Sequence, residues 1–249
     1  MNIGGGLDST IPDGLLSGSA TVLNADRGII LDGVTGRVSN WNDQLGSIDC
    51  TQATDSAQPD YIAINPQFGG HSSVAGDGSA YWMEIDGYAT LMNGDDAETY
   101  RVLVLRATQL ATLSYVLSVN ANDTSTNADY FSTSGSGNFN CSRAADATSV
   151  LQSLGPYDTD PHIIELIHTG GTTLTATLDG VVKLDAVAYD TDPLAVTLGT
   201  LFGHRFNGSP TGFSATEMTQ MIFDPIIPSA GNRTTLRGFL GEIYGISTI

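Results

Sequence analysis

Aromatic residues flanked by hydrogen-bonding side chains are the residues of this sequence best suited to chemistry, and that chemistry is sugar binding. Tyr81-Trp82, Tyr130 beside Asp129, and the run His204-Arg205-Phe206-Asn207 combine the two types of side chain. Aromatic rings offer apolar faces on which sugar rings stack. Asp129, Arg205 and Asn207 could bind hydroxyl groups, and solvated loop residues are an equally good interpretation of these three. For Trp82, packing in the core is an equally good interpretation. The candidate glycan-binding residues are therefore Trp82, Tyr81, Tyr130, His204, Arg205 and Asn207.

Residues that bind metals or act as nucleophiles are scattered along the chain. His162 and His168 would share one face of a strand but lie ~20 Å apart, too far for one metal. No Gly-x-Ser-x-Gly motif occurs. Tyr157-Asp-Thr-Asp-Pro161 recurs at 189–193, and paired aspartates could hold calcium. The strands between the copies place them at opposite ends of a sheet, so an Asx-Pro turn at each is the favoured interpretation. We predict no cofactor.

The composition is that of an acidic chain rich in turns. Of its 249 residues 41% are hydrophobic and 14% are charged, with nine basic and 27 acidic residues and a net charge of −18. Aspartate, which favours turns, greatly outnumbers glutamate. Such a charge argues against direct binding to nucleic acid or insertion into an anionic membrane. We therefore expect a loop-rich β protein.

The first 18 residues differ from the rest, because they contain three consecutive glycines and little to bury. We interpret residues 1–18 as an extended arm that lies on its own domain or on a partner, ahead of a single domain at 19–249. The start has neither the basic nor the apolar region of a signal peptide, so we expect synthesis in a cytoplasm. For Cys50 and Cys141 we predict reduced, partly buried thiols.

Strand patterns predict the elements that must position the candidate residues. Thr99–Ala107 is apolar on both faces, which is typical of a strand buried between layers. Leu113, Tyr115, Leu117 and Val119 alternate with polar residues, which predicts a one-sided strand. Asp146–Leu154 fits a short helix or a strand equally well. Further predicted elements are strands within Ala20–Leu31, at Ala195–Leu198 and at Leu236–Ile246, and a short helical turn within Thr216–Ile222.

The clearest signal is an antiparallel meander. His162–His168 and Thr172–Leu178 read as strands joined by a glycine-containing turn. Asp179-Gly180 then predicts a two-residue hairpin turn, because this pair tolerates the positive φ that such turns need. Val181–Ala186 reads as the returning strand. The meander excludes a helix-dominated or doubly wound fold and predicts an all-β, antiparallel fold, which the resemblance described next narrows to a two-sheet sandwich.

These segments together resemble one fold family. The polar loop around Trp41, with Gln58-Pro beyond it, is similar to the loop after the first strand of laminin-G-like, or concanavalin A-like, jelly rolls. The meander and a closing strand at Leu236–Ile246 with the sequence Gly241-Glu-Ile fit the same family. The resemblance implies a jelly-roll sandwich over residues 19–249, in which Trp41 packs in the core. Bacteriophage virion proteins and bacterial surface proteins include domains of this kind.

The family also includes polysaccharide hydrolases, whose strand Glu-x-Asp-x-x-Glu supplies two carboxylates about 5 Å apart. This chain has Glu84-Ile-Asp86, but Ala89 stands where the second glutamate belongs. We therefore expect no enzymatic activity and assign no catalytic residue.

Three functions follow from the resemblance. We expect a virion surface protein, as a head fibre, decoration or tail-associated protein, anchored to other virion proteins by residues 1–18. It would form a homo-oligomer and could bind host glycans. The alternatives are a secreted bacterial carbohydrate-binding or adhesin module and, with less support, a polysaccharide hydrolase.

Overall fold

The structure is a computed structural model that describes most of the chain. The described residues are 9–46, 48–85, 87–89, 98–110, 112–120, 127–145, 148–170, 172–189, 196–206 and 209–249. Asp86, Asn207, residues 1–8 and the whole second Asp-Thr-Asp copy at 190–192 lie outside them.

Two antiparallel sheets stack face to face, which confirms the predicted all-β sandwich. Sheet A has the strand order β15-β14-β13-β8-β19-β6-β5, with β1 also paired to β19. Its strands are β1 (Thr21–Asn24), β5 (Asp60–Ile62), β6 (Ser73–Ala75), β8 (Thr99–Ala107), β13 (His162–Thr169), β14 (Thr173–Leu178), β15 (Val181–Ala188) and β19 (Thr216–Asp224).

Sheet B has the order β12-β11-β10-β9-β16-β7-β4-β3-β2. Its strands are β2 (Ile29–Leu31), β3 (Val38–Trp41), β4 (Cys50–Thr51), β7 (Met83–Ile85), β9 (Ser114–Asn120), β10 (Asn127–Thr133), β11 (Asn138–Ala145), β12 (Thr148–Pro156) and β16 (Leu198–Leu201). A separate hairpin joins β17 (His204–Phe206) to β18 (Ser209–Thr211). The helical elements are α1 (Ala230–Tyr244) and two short 3-10 turns, Asp55–Ala57 and Pro66–Phe68.

The main core fills the space between the two sheets. Leu103 and Leu105 of sheet A and Leu117 and Phe131 of sheet B are among its fully buried members. Trp41 also lies in this core with no exposed surface, which confirms its predicted packing role. The indole therefore stabilises the sandwich and is not available to a ligand.

A second apolar cluster lies on the outer face of sheet A, where α1 packs. The sheet supplies Val102 and Ile163, and the helix supplies Leu236 and Leu240. Strand β8 contributes to both clusters, as its two apolar faces predicted. The cluster covers one outer face of the sandwich.

The predicted closing strand at Leu236–Ile246 is wrong, because this segment forms most of α1. The Ser229 hydroxyl accepts from the backbone N–H of Asn232 at the helix start. Gly245 ends the helix in the left-handed conformation, with φ of 70°. The buried residues Leu236, Leu240, Ile243 and Tyr244 recur with helical spacing, so one face of the helix is apolar.

The Gly241-Glu-Ile sequence thus has a helical explanation. A Cβ atom on Gly241 would lie 2.8 Å from the carbonyl oxygen of Ile246, which folds back over the helix end. Gly241 is therefore required by close backbone approach, and the likeness of this tripeptide to a closing strand was misleading.

Other predicted elements differ in type or position. The predicted helical turn within Thr216–Ile222 is wrong, since β19 runs through the middle of sheet A and is buried along its length. Asp146–Leu154 was open between two interpretations, and it falls largely in strand β12. The strand predicted at Ala195–Leu198 begins later, as β16.

The meander is confirmed as β13, β14 and β15, paired in sequence. Asp179 and Gly180 have φ of 51° and 86°, which are the positive values that a tight hairpin turn of this type needs. The first Asp-Thr-Asp copy is an Asx turn, in which Asp158 Oδ1 accepts from the backbone N–H of Asp160 at 2.8 Å.

The described part of the N-terminal segment, residues 9–18, lies on its own domain. Ile11, Leu15 and Leu16 pack against the second apolar cluster. The Ser17 hydroxyl donates to Asp224 at 2.6 Å. These residues therefore belong to the folded unit, beside α1.

Cys50 and Cys141 are both buried and are not joined by a disulfide, as predicted. Burial raises the pKa of the Cys141 thiol to about 12. In the described part of the chain, no helix has the length and apolar character needed to cross a membrane.

Candidate functional site

The outer face of sheet B carries the residues that could bind a ligand. Trp82 and Glu84 of the β7 region, Tyr115 of β9 and Tyr130 of β10 are half-buried there. The β17–β18 hairpin lies beside them. Among the described residues no helix covers this surface, which we call the open face: the outward side chains of β3, β4, β7, β16, β9 and β10, with strands β17 and β18.

Three rings form an aromatic cluster at one side of the open face. The Tyr115 and Tyr130 rings meet edge to face, with centroids 5.0 Å apart. The His204 ring lies 4.8 Å from Tyr115 and 6.3 Å from Tyr130. Edge-to-face packing holds such rings in fixed orientations, which leaves part of each tyrosine accessible. The structure thus brings together the predicted residues Tyr130 and His204.

Tyr115 was not predicted as a site residue, because its strand contains a β-bulge. Simple alternation puts it on the same face as Leu117 and Val119, which lie in the core. Between Phe131 and Ser132 the pairing of β10 with β9 shifts by one residue. The bulge turns Tyr115 to the opposite face. No short-range signal in the sequence marks this position.

His204 links the hairpin to the sheet and is itself buried. Its Nδ1 lies 3.3 Å from the Ser118 hydroxyl. Asn120 Nδ2 donates to the backbone oxygen of Arg205 at 2.7 Å. These contacts hold the hairpin against β9, so we assign His204 a supporting position beneath the tyrosines.

Trp82 and Glu84 lie on the open face two strands away from β9. The Arg205 guanidinium reaches across to Glu84, with 3.7 Å between Nη1 and Oε2. Both side chains are partly exposed, so this pair contributes little stability but places two polar groups beside the half-buried indole. The structure therefore assigns Trp82 to the surface alternative.

A shallow groove of about 260 Å³, lined mostly by polar residues, lies near Trp82. Strand β4 pairs with β7, with Thr51 opposite Glu84. Continuing this pairing by two residues places Ala53 opposite Trp82, and Ala53 is one of the residues that line the groove. Gln52, also in the lining, donates from Nε2 to the Trp82 carbonyl at 2.9 Å. Side chains that bind hydroxyl groups supply most of the rest of the lining, namely Asp32, Ser39, Asn40, Thr51, Asp55 and Gln58.

Two of the predicted groups lie elsewhere. Tyr81 is buried, and the Arg37 guanidinium stacks over its ring at 4.5 Å, so it packs against the protein and not beside Trp82. Asp129 is also buried, and it points between the sheets because Tyr130 points out. Its proposed contact with sugar hydroxyls is wrong. Asn207 lies outside the described residues.

The sequence matches no family model and no curated protein. Solved structures do match. Trypanosoma rangeli sialidase in complex with the inhibitor DANA has a TM-score of 0.59 at 12% identity, over 92% of this chain and 33% of that one. The same enzyme in complex with sialic acid has a TM-score of 0.56 at 14% identity, over 96% and 36%. The chain thus spans about a third of the sialidases it matches.

These comparisons contradict the expectation of a protein without enzymatic activity. Enzymes contain this fold, since the matching structures are sialidases. At 12–14% identity the likeness shows the fold alone. The presence of Ala89 in place of the second glutamate argues only against hydrolases that use the Glu-x-Asp-x-x-Glu strand. It does not exclude other kinds of catalysis on this fold.

Proposed function

We propose that this protein binds cell-surface glycans through its open face. The observation that supports this most is the joint placement of Trp82, Tyr115 and Tyr130 on a sheet face that no described helix covers, near a groove lined mostly by polar residues. A carbohydrate has apolar ring faces and polar edges, so it needs aromatic platforms and hydroxyl-binding groups together. The open face offers both, and the other outer face is covered by α1.

The charge of the protein favours neutral glycans. A net charge of −18 repels anionic ligands as they approach. Arg205 is a cation on the open face, and Glu84 lies 3.7 Å from it, which offsets its attraction for an acidic sugar. Neutral hexose-containing glycans are therefore the proposed ligands. Binding of sialylated glycans should be measured alongside, because the matching solved structures are sialidases.

We further propose that the protein is displayed on a virion, as a head fibre, decoration or tail-associated protein, and that copies form a homo-oligomer. The N-terminal segment 1–18 would attach it to other virion proteins. Since residues 9–18 pack on the domain beside α1, the attachment would place the sandwich close to the particle. The stacked antiparallel sheets and the meander support the finer proposal of a concanavalin A-like, laminin-G-like jelly roll.

Glycan binding is tested on an array that contains neutral and sialylated glycans, followed by titration of the best ligand. We expect neutral glycans to bind and Trp82→Ala to weaken them without unfolding the protein. Phe239→Ala is the matched control, because Phe239 is a partly buried aromatic on the covered face. An array without signal would contradict the proposal. Release of free sugar from any bound glycan would assign a hydrolytic activity to the same face.

Attachment is tested by deletion of residues 2–8, which leaves the packed residues 9–18 in place. We expect the shortened protein to keep its melting temperature and to be lost from purified particles. Incorporation equal to that of the full chain would show that residues 2–8 are not the anchor. A deletion that extends to residue 18 would uncover the second apolar cluster and could not separate attachment from folding.

A further inference from the structure

A cluster of charged and polar side chains is sealed between the two sheets at one end of the sandwich. Arg101 of β8 and Arg143 of β11 both face Asp129 of β10. Arg101 Nη1 lies 2.6 Å from Asp129 Oδ1, and Arg143 Nε lies 3.7 Å from Asp129 Oδ2. None of the three residues is more than 2% exposed. Among the described residues, this end of the interior therefore contains two guanidinium groups and one carboxylate.

The other groups at this end of the interior do not supply the missing negative charge. Burial raises the pKa of the Tyr88 phenol and of the Cys141 thiol to about 12, and it raises the pKa of the Tyr189 phenol well above its usual value, so all three groups are neutral. Arg143 Nη1 donates to His168 Nε2 at 2.6 Å, since an arginine can only donate. Among the described residues, Asp129 is the one carboxylate paired with these arginines.

The same cluster contains polar atoms that lack a hydrogen-bond partner. They are the Nε atoms of Arg101 and Arg143, the hydroxyls of Thr99 and Tyr189, and Asp129 Oδ2. The buried Tyr88 hydroxyl lies beside them and accepts from the Arg101 guanidinium. Both Nε–H groups can only donate, and each hydroxyl brings a further proton. The unpartnered donors therefore outnumber the unpartnered carboxylate oxygen. All six residues are almost completely buried.

Contacts show that these atoms converge on one place. Thr99 and Arg101 point into the interior from alternate positions of β8, and Thr99 is opposite His168 on β13. The Arg143 guanidinium lies 5.7 Å from the centre of the Tyr189 ring. The His168 and Tyr189 rings are 5.8 Å apart. One small ligand could therefore contact several of the donors.

We propose that this cluster is a binding site for a small monovalent anion such as chloride, held between Arg101 and Arg143. An anion accepts from several donors at once and offsets the charge that Asp129 leaves unpaired. Water accepts hydrogen bonds as well, but it is neutral and leaves the charge of the second guanidinium unbalanced. A buried charge without a counter-charge is strongly unfavourable, so anion binding should stabilise the fold. The site is separate from the open face and does not depend on glycan binding.

The test is thermal unfolding in sodium chloride and in sodium gluconate at equal ionic strength, with gluconate as an anion too large to enter. We expect chloride to raise the melting temperature and the effect to saturate. Tyr189→Phe should raise the chloride concentration at half-effect about tenfold, which is the size expected for a hydrogen bond to a charged group. Tyr88→Phe is the second variant if Tyr189→Phe does not fold.

Tyr157→Phe is the matched control. Its hydroxyl is also buried without a partner, but its ring stacks on Phe139, close to His162 and away from the arginines. It should leave the chloride dependence unchanged. Equal melting temperatures in chloride and gluconate would overturn the proposal. Crystals grown in bromide give a direct check: anomalous density between the two guanidinium groups supports the site, and density on the surface only would identify an adventitious ion only.

Discussion

The two outer faces of the sandwich are both formed by antiparallel strands, but they differ in what covers them. On sheet A, Val102 and Ile163 point outward into an apolar cluster that α1 and residues 9–18 cover. On sheet B, Trp82 and Tyr130 point outward among polar groups, and no helix of the described chain covers them. One face thus stabilises the fold, and the other is left accessible.

The difference shows where a fold of this kind has freedom to vary. The interior fixes the inward residues of both sheets, so a site for a ligand as large as a glycan can arise only on outward positions or in loops. Covering one face with a helix uses its outward residues for stability. The proposed glycan-binding function therefore depends on the outer face of sheet B, which does not take part in the second apolar cluster.

The largest effect is expected from truncating the helix side of the covered face. Leu240→Ala removes a fully buried side chain from the second apolar cluster. We expect the free energy of unfolding to fall by about 2–5 kcal/mol in chemical denaturation. Glycan affinity should be unchanged while the protein remains folded. A loss of affinity in folded protein would mean that the two faces are coupled.

The next effect concerns the polar attachment of α1 to sheet A. Arg237 of the helix donates to the buried Glu165 carboxylate, which also accepts from Tyr100 and Thr177. Arg237→Met should cost about 1–3 kcal/mol of unfolding free energy, because it leaves a buried carboxylate with one donor fewer. Lys183→Met, at an exposed position, is the control. Equal stability of the two variants would show that this ion pair does not hold the helix.

A smaller change, in the free energy of glycan binding and not of unfolding, is expected for a substitution on the open face. Tyr130→Ala removes one ring of the aromatic cluster with Tyr115 and His204. We expect glycan affinity to fall about tenfold, which corresponds to roughly 1.4 kcal/mol. Calorimetric titration measures this, and the melting temperature should change less than in Leu240→Ala. Unchanged affinity would restrict the ligand to the Trp82 side of the face.

The smallest effect is a pH dependence that involves neither outer face. His162 lies at the edge of the interior, 2.7 Å from Asp179 and 3.1 Å from Asp158. Burial opposes its charge, but the two carboxylates outweigh burial and raise its pKa above 6.5. Protonated His162 therefore stabilises the fold fully below the unfolded pKa, and this stabilisation is lost as pH rises through the folded pKa.

Chemical denaturation between pH 5 and pH 9, limits that bracket the ordinary pKa of histidine, measures this effect. The free energy of unfolding should decline across the upper part of this range in the native protein. His162→Gln should show a flatter profile. Identical slopes in the two proteins would assign the titration to another group.

Local chemistry made much of sheet A predictable. The Asp179-Gly180 turn and the alternation of β14 are short-range signals, and the structure contains both. The sequence also contains signals for helix α1, since Ser229, Leu236, Leu240 and Gly245 mark its start, apolar face and end. The likeness of Gly241-Glu-Ile to a closing strand competes with these signals and predicts the wrong element. Strand β19 lies at the centre of a sheet, where apolar and polar residues are buried on both faces and alternation is lost.

The candidate site was only partly predictable, because it depends on contacts between distant segments. Trp82, Tyr130 and Arg205 were identified by residue type, and the structure places them on one face. Tyr115 was missed because a bulge reverses its direction. The buried pairing of Asp129 with Arg101 and Arg143 has no signature in sequence, since three separate strands bring the residues together.

The most direct test of the central proposal is the affinity of one neutral glycan, chosen from an array, for four proteins measured under identical conditions. The native protein and Phe239→Ala should bind it equally, whereas Trp82→Ala and Tyr130→Ala should bind at least about tenfold more weakly with little change in melting temperature. Equal binding by all four proteins, or no binding by any of them, would contradict the assignment of glycan recognition to the open face.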